Sequence, residues 1–289
     1  MLAEVRALGF EYAELGHGVR LTLVDGIRAA VAAGEIKISS LHNFCPLPVA
    51  VREAAPDYYR PSALRESERQ LAVRHTLRTI EFAASLGAKF VVLHLGDVDM
   101  RDYTMKLMKL YATGKAGTPK FDKVRVKAIT VRAKKRPKHF DQLLRSLDEI
   151  VPAAKQAGVR LGFENRDAIE AIPSEDEFGE LIQRYGADAT NYWHDVGHAQ
   201  IKENFGLTSH EWLLERYRGC TAGMHLQDFA PPAFDHQPPG FGTFDFARLR
   251  RFVTEDMVLA WEIHPNFTAA QIADTCRRTH EVFRSSVNA

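Results

Sequence analysis

The chain has 289 residues, of which 45% are hydrophobic and 26% charged, and a net charge of +1. That composition lies within the soluble globular range and suffices for one large barrel or two small domains. No apolar run reaches the roughly 18 residues a membrane helix needs, and Met1 to Gly9 lacks the basic start and apolar block of a signal peptide, so the cytoplasm is the expected compartment.

In chain order, a helical pattern over Leu2 to Leu8 leads into a strand candidate, Glu11 to Leu15, and then a second, Ile36 to Leu41. A third strand, Phe90 to Leu95, is followed by a basic stretch from Arg101 to Lys138, with thirteen Lys and Arg against only Asp102 and Asp122. This stretch carries about +11 and the remainder about −10, so any anion-attracting surface is local and uniform nucleic-acid binding is not indicated. It reads either as a solvated helical hairpin or subunit contact, or as an electropositive lid for a phosphorylated or acidic substrate. Phe140, Leu143, Leu144, Leu147, Ile150, Val151 and Ala154 then recur at helical spacing. Four more strands follow, Val159 to Glu164, Thr190 to Asp195, Ala222 to Leu226 and Val258 to Ile263. Gly87 and Gly158 sit where helices stop, and Ser174 to Glu177 and Thr268 to Gln271 have capping-box spacing.

Alternation of short apolar strands with amphipathic helices predicts an α/β protein with a parallel sheet, here a TIM (β/α) barrel. The expected arrangement is one domain over residues 1–289 with a basic insert at about 101–138. Only seven of a barrel's eight strands are visible, the first being missing; an upstream start is expected, the alternative being a gap that a partner or loop covers. Cys45, Cys220 and Cys276 form no CxxC pair, which argues against a disulfide framework or a thiolate zinc site.

Side chains at the C-terminal ends of parallel barrel strands converge on the mouth. Those ends read SSLHNF with His42, VVLHLGD with His94, LGFENRD with Glu164, YWHDVGH with Asp195 and His198, GMHLQD with His225 and Asp228, and LAWEIHP with Glu262. So many carboxylates and imidazoles in one place are costly to bury unless a cation lies between them. Oxygen and nitrogen donors without thiolate suit manganese, magnesium, cobalt, iron or zinc. The strongest ligand candidates are Glu164, Asp195, His225 and Glu262, with His42, His94 and His198 as supporting or substrate-contacting residues. The segment from Asp235 to Phe246 is expected to be an ordered loop, either a simple turn or a device that brings His236 over the metal. His264 shares strand parity with Glu262 and is a candidate substrate contact. His17, His75, His139, His194, His210 and His280 are expected at the surface or in packing.

In this order the residues resemble the xylose-isomerase-like barrels, which include sugar isomerases, sugar epimerases and endonuclease IV. The resemblance rests on His42, His94, Glu164-Asn165, Asp195-x-x-His198, Gly223-Met224-His225-Leu226, His236-x-x-Pro-Gly240-x-Gly242 and Glu262. Similarity to the tagatose- and psicose-type epimerases implies a divalent ion on Glu164, Asp195, His225 and Glu262, and a substrate contact at His198. It also implies proton transfer by Glu164 and Glu262 through a metal-stabilised enediolate. No Arg stands between Asp228 and Gly242, where related epimerases hold substrate. Similarity to endonuclease IV implies instead a three-zinc site that also uses His42, His94, His198 and His236, and phosphodiester hydrolysis. There the family's Asp two residues before the loop His is replaced by Phe234, with Asp235 one position off. A dehydratase or lyase of the same family is a further implied activity. The partner expected is a small carbohydrate, phosphorylated or acidic if the basic stretch contributes. Neither a membrane nor nucleic acid is expected, and a homo-oligomer is compatible with the pattern.

Overall fold

The computed structural model describes residues 2–49 and 51–284. Seven parallel strands form one sheet: β1 (Tyr12–Leu15), β2 (Lys37–His42), β3 (Phe90–Leu93), β4 (Arg160–Glu164), β5 (Thr190–Asp195), β6 (Thr221–Leu226) and β9 (Val258–Trp261), in the order β1-β2-β3-β4-β5-β6-β9. Helices alternate with them: α1 (Leu2–Ala7), α2 (Val24–Ala32), α3 (Glu66–Ser85), α4 (Thr104–Ala112), α5 (Pro119–Ala157), α6 (Glu177–Tyr185), α7 (Val196–Asn204), α8 (His210–Arg216) and α9 (Ala269–Arg284). This is an α/β TIM barrel with seven strands in its sheet, and the strand boundaries fall within two residues of those read from the pattern. β7 (Asp228–Ala230) and β8 (Phe234–Gln237) make a separate antiparallel hairpin.

The chain divides into two compact units. The first comprises Met1–Val98, Arg136–Glu164 and Glu177–Asn191. In it the apolar run Phe90, Val91, Val92, Leu93 is buried along its whole length, as a parallel strand covered on both faces must be. The helix stop at Gly87 is a left-handed residue, φ +71, a conformation glycine adopts without the Cβ clash.

The second unit comprises Asp99–Lys135, Asn165–Asp176 and Tyr192–Ala289. Here the basic stretch is helical, as α4 and the first half of α5. Leu107 and Leu110 of α4 and Phe121, Val124 and Ala128 of α5 pack with Phe205 in one cluster, and a fully buried side chain of this size contributes about 1.5–3 kcal/mol. Arg132, next on the same face of α5, is also buried, and its guanidinium donates twice to the Ala171 carbonyl. Lys120, Lys123, Lys127 and Lys134 point to solvent, so the charge is the outer face of an amphipathic helix. At α9 the expected capping box forms: Gln271 N–H donates to Thr268 Oγ1, and Thr268 N–H to Gln271 Oε1. Cys45 and Cys220 are free thiols; the side chains of Cys276 and His280 lie outside the described residues. No helix among the described residues is long and apolar enough to cross a membrane.

Candidate metal centre

In the first unit, three consecutive strands deliver donors at their C-terminal ends. His42 closes β2, His94 follows β3, and Glu164 closes β4. His42 Nε2 and His94 Nε2 stand 3.1 and 3.0 Å from the same atom, Glu164 Oε2. The other nitrogens are spoken for. His42 Nδ1 donates to the Asn43 carbonyl at 3.1 Å, and His94 Nδ1 to Asp57 Oδ1 at 3.0 Å. Rings so anchored, if neutral, turn bare Nε2 lone pairs toward a carboxylate oxygen, which is repulsive unless a proton or a cation is shared. The Glu164 side chain is fully buried, so water cannot screen that repulsion. His17, expected only as a surface or packing residue, sets its ring edgewise against His42 with centroids 4.9 Å apart.

In the second unit, Asp195 ends β5 and is the N-cap of α7. Its Oδ1 accepts from His198 N–H at 2.7 Å, satisfying one of the donors a helix start leaves open. Its Oδ2 accepts from Gln227 Nε2 at 2.5 Å and lies 3.8 Å from His225 Nδ1. Pairing of β5 with β6 puts Asp195 opposite His225, and pairing of β6 with β9 puts Leu226 opposite Trp261. Glu262 therefore emerges one residue beyond the ladder, with Oε2 3.0 Å from His225 Nδ1. Asp195 and His225 are inaccessible to solvent, whereas the Glu262 side chain retains 23% exposure. His198 Nδ1 donates to the Asn165 carbonyl at 3.0 Å, which leaves Nε2 to face Arg166 Nη1 at 3.4 Å.

His236 lies in β8 at φ 55, with Nδ1 3.0 Å from Asp235 Oδ1 and Nε2 3.7 Å from Glu262 Oε1. Burial disfavours its charged form, but the Asp235 and Glu262 carboxylates outweigh that and push its pKa up to about 11. Asp235 is correspondingly held below the usual carboxylate range, burial being overcome by the same imidazole. The loop is ordered as expected, and Asp228 is the reason. Its carboxylate accepts four backbone N–H bonds, from Phe229 and Phe244 on Oδ1 and from Gly240 and Gly242 on Oδ2. Gly242 permits this close approach, since a Cβ there would meet Phe229 O at 2.3 Å.

In the second unit, one donor atom from each of Asp195, His225 and Glu262 lies within 4.8 Å of the others. Carboxylates and an imidazole at such spacing are a donor set for a hard or borderline divalent cation. The structure thus has a possible metal site of His, Glu and Asp residues. His264 is exposed, with its N–H on the His236 carbonyl. His139 is buried, with Nδ1 donating to the Ser62 carbonyl, and His194 and His210 are buried against each other. Sequence reasoning missed Asp57 and Gln227. Gln227 shares strand parity with His225, the one pattern that points to it.

Residues 2–279 match the family described as xylose isomerase-like TIM barrel. The chain belongs to this family. A search of curated proteins finds no match. Among solved structures, a 3-keto-D-glucoside 4-epimerase from E. coli is similar at TM-score 0.67 and 15% identity, over 97% of this chain and 92% of that one. An L-ribulose 3-epimerase is similar at TM-score 0.70 and 15% identity, over 99% and 89%. A D-psicose 3-epimerase from Clostridium cellulolyticum is similar at TM-score 0.59 and 12% identity, over 99% and 90%. At these identities the likeness concerns the fold, and the family's barrel spans nearly the whole chain.

Proposed function

We propose that the chain is a divalent-metal-dependent isomerase or epimerase of a sugar or sugar derivative, and that Glu164, Asp195, His225 and Glu262 hold the ion. The observation that carries this reading is the trio Asp195, His225 and Glu262, the first two fully buried and the third partly so, in which one imidazole nitrogen stands 3.0 and 3.8 Å from two carboxylates. Burying such a set without a cation would cost several kcal/mol. Support also comes from the similar structures, three of which are sugar epimerases by name, and from a Thermus thermophilus relative in fold that was soaked with zinc chloride.

When bound, a divalent cation polarises a substrate carbonyl and its neighbouring hydroxyl. The chain's own residues then do the proton work. One of Glu164 and Glu262 takes the proton from the carbon beside the carbonyl, and the other returns one. His198, whose Nδ1 donates to the Asn165 carbonyl and whose Nε2 faces Arg166 Nη1, contacts a substrate hydroxyl. His42, His94 and His236 complete the substrate contacts. The small carbohydrate substrate enters from the side of Glu262 and His236, the partly exposed members of the set.

The test is incubation of the manganese-loaded enzyme with candidate ketoses in deuterated water. Deuterium appearing at the carbon beside the carbonyl, abolished by a chelator, is the expected result. A single ion per chain by elemental analysis would accompany it.

One observation favours a second reading, an endonuclease IV-like zinc hydrolase. His42 and His94 converge on Glu164 Oε2, and Asp235 pairs with His236, so there are donors for more than one ion. Against it, Phe234 is 61% exposed where related nucleases place a ligating Asp. Incision of abasic-site DNA together with three zinc ions per chain would replace the first reading by this one.

A further inference from the structure

Behind Asp195 lies a line of buried polar groups that the proposed chemistry does not use. The Asn165 side chain brackets the Asp195 residue: Nδ2 donates to its carbonyl at 3.0 Å, and Oδ1 accepts from its N–H at 2.7 Å. Because a peptide N–H only donates and a carbonyl only accepts, this double contact fixes which end of the amide is oxygen. Tyr192 gives its single hydroxyl proton to the same Oδ1, at 3.1 Å. Toward its other neighbour, His194 Nδ1 at 2.9 Å, the Tyr192 oxygen must therefore accept. So the His194 proton sits on Nδ1.

A neutral ring has one such proton, which leaves His194 Nε2 to accept from His210 Nδ1 at 3.0 Å. His210 is then also protonated on Nδ1. Its Nε2 has no hydrogen-bond partner among the described residues, and its ring lies against Phe244 with centroids 4.8 Å apart. Both histidines and Tyr192 are fully buried. His210 is itself seated by its N–H on Glu203, a carboxylate that Arg248 holds through two bonds of 3.0 and 2.9 Å.

We propose that His210, His194, Tyr192 and Asn165 form a one-way hydrogen-bond relay that positions the Asp195 carboxylate. This rests on the reading of Asp195 as a metal ligand. The backbone at Asp195 is where β5 turns into α7, and Oδ1 is committed to the helix cap. The direction of Oδ2 therefore follows the local backbone that Asn165 clamps. Neutral groups achieve this without adding charge beside the Asp195 and Glu262 carboxylates. His210, His194 and Tyr192 are positioning residues, since none of them touches the donor atoms.

Two measurements on the full chain test the relay. Long-range proton–nitrogen NMR of the metal-free protein, with assignments from His194→Gln and His210→Gln, is expected to show both rings protonated on Nδ1, the minority form of free histidine. Manganese titration is expected to give about 10–100-fold weaker binding in Tyr192→Phe, the range seen when support behind a metal ligand is removed. Leu214→Ala, a buried apolar deletion in α8, is expected to lower the unfolding midpoint while keeping wild-type affinity, which separates positioning from stability. A proton on Nε2 of either ring, or Tyr192→Phe binding manganese within twofold of wild type, overturns the proposal. If the wild-type chain binds no divalent ion, the metal reading fails, and the tautomers alone then decide the relay.

Discussion

Asp228→Asn is the most informative single change outside the donor set, because the substituted side chain keeps its shape and loses one acceptor. The wild-type carboxylate receives Phe229 N–H at 2.7 Å and Phe244 N–H at 2.9 Å on one oxygen, and Gly240 N–H at 2.8 Å and Gly242 N–H at 2.9 Å on the other. An amide can serve only one of these pairs, and its NH2 then faces two N–H donors. The oxygen should stay with Phe229 and Phe244, which are buried, leaving Gly240 and Gly242, the more accessible pair. Bonds to a charged acceptor contribute about 1.5–3 kcal/mol each, so two lost bonds amount to about 3–6 kcal/mol. Water reaching Gly240 and Gly242 recovers part of this, for a net cost of about 2–3 kcal/mol. Urea unfolding of the metal-free protein measures it directly, with the slope unchanged and the midpoint lowered. Since this loop carries His236, turnover should also fall, by about tenfold. A midpoint shift equivalent to less than about 0.5 kcal/mol would refute the view that Asp228 organises the loop.

Glu164→Gln should lower kcat by about 10²–10⁴-fold with little change in the unfolding midpoint, as removal of a proton-transfer group does; steady-state rates in the deuterium-exchange assay check it. Leu107→Ala deletes a fully buried side chain that holds α4 against α5, and about 2–5 kcal/mol of stability should go with it, measured by thermal or urea unfolding. Glu211 is held down to about 2 by its hydrogen bonds to Arg248. Its folded pKa is below its unfolded value of 4.5, so its contribution is complete above that pH and is lost as pH falls toward 2. Arg248→Met should therefore flatten the acid limb of the stability profile between pH 4.5 and 2, and an unchanged limb would count against the pairing.

The strands were legible because each is either a continuous apolar run or an alternating one bounded by turn residues, and Phe90 to Leu93 could not be read as anything else. The first half of α5 was legible only as one of several readings, the helical hairpin, although its buried residues Phe121, Val124, Ala128 and Arg132 keep helical spacing. An arginine occupies the fourth inward position, and five lysines crowd the outward ones, so charge masked period. Pro137 lies inside the helix and reads in sequence as a stop. The β7–β8 hairpin was hidden for a different reason. Its partner is a backbone nest twelve to sixteen residues downstream, made by N–H groups that every non-proline residue carries.

The strand ends that carry the candidate donors were legible from topology alone, since a parallel sheet sends the last side chain of every strand to the same end. What surrounds them was not, and the difference is one of charge. A carboxylate or imidazole at a strand end stands out because burial makes it costly, whereas an amide there reads as ordinary polar sequence. Yet Asp195, close to His225 and Glu262, is best oriented by groups that add no further negative charge. Gln227 meets that need by donating Nε2 to Asp195 and accepting His236 N–H on Oε1, and Asn165 does so by bracketing Asp195 from both sides. The same requirement explains why two imidazoles behind Asp195 are kept neutral: burial drives His194 well below its ordinary value, and takes His210 down to about 3. Were Asp195 to hold a divalent ion as proposed, a charged imidazole in either place would compete with that ion for its carboxylate.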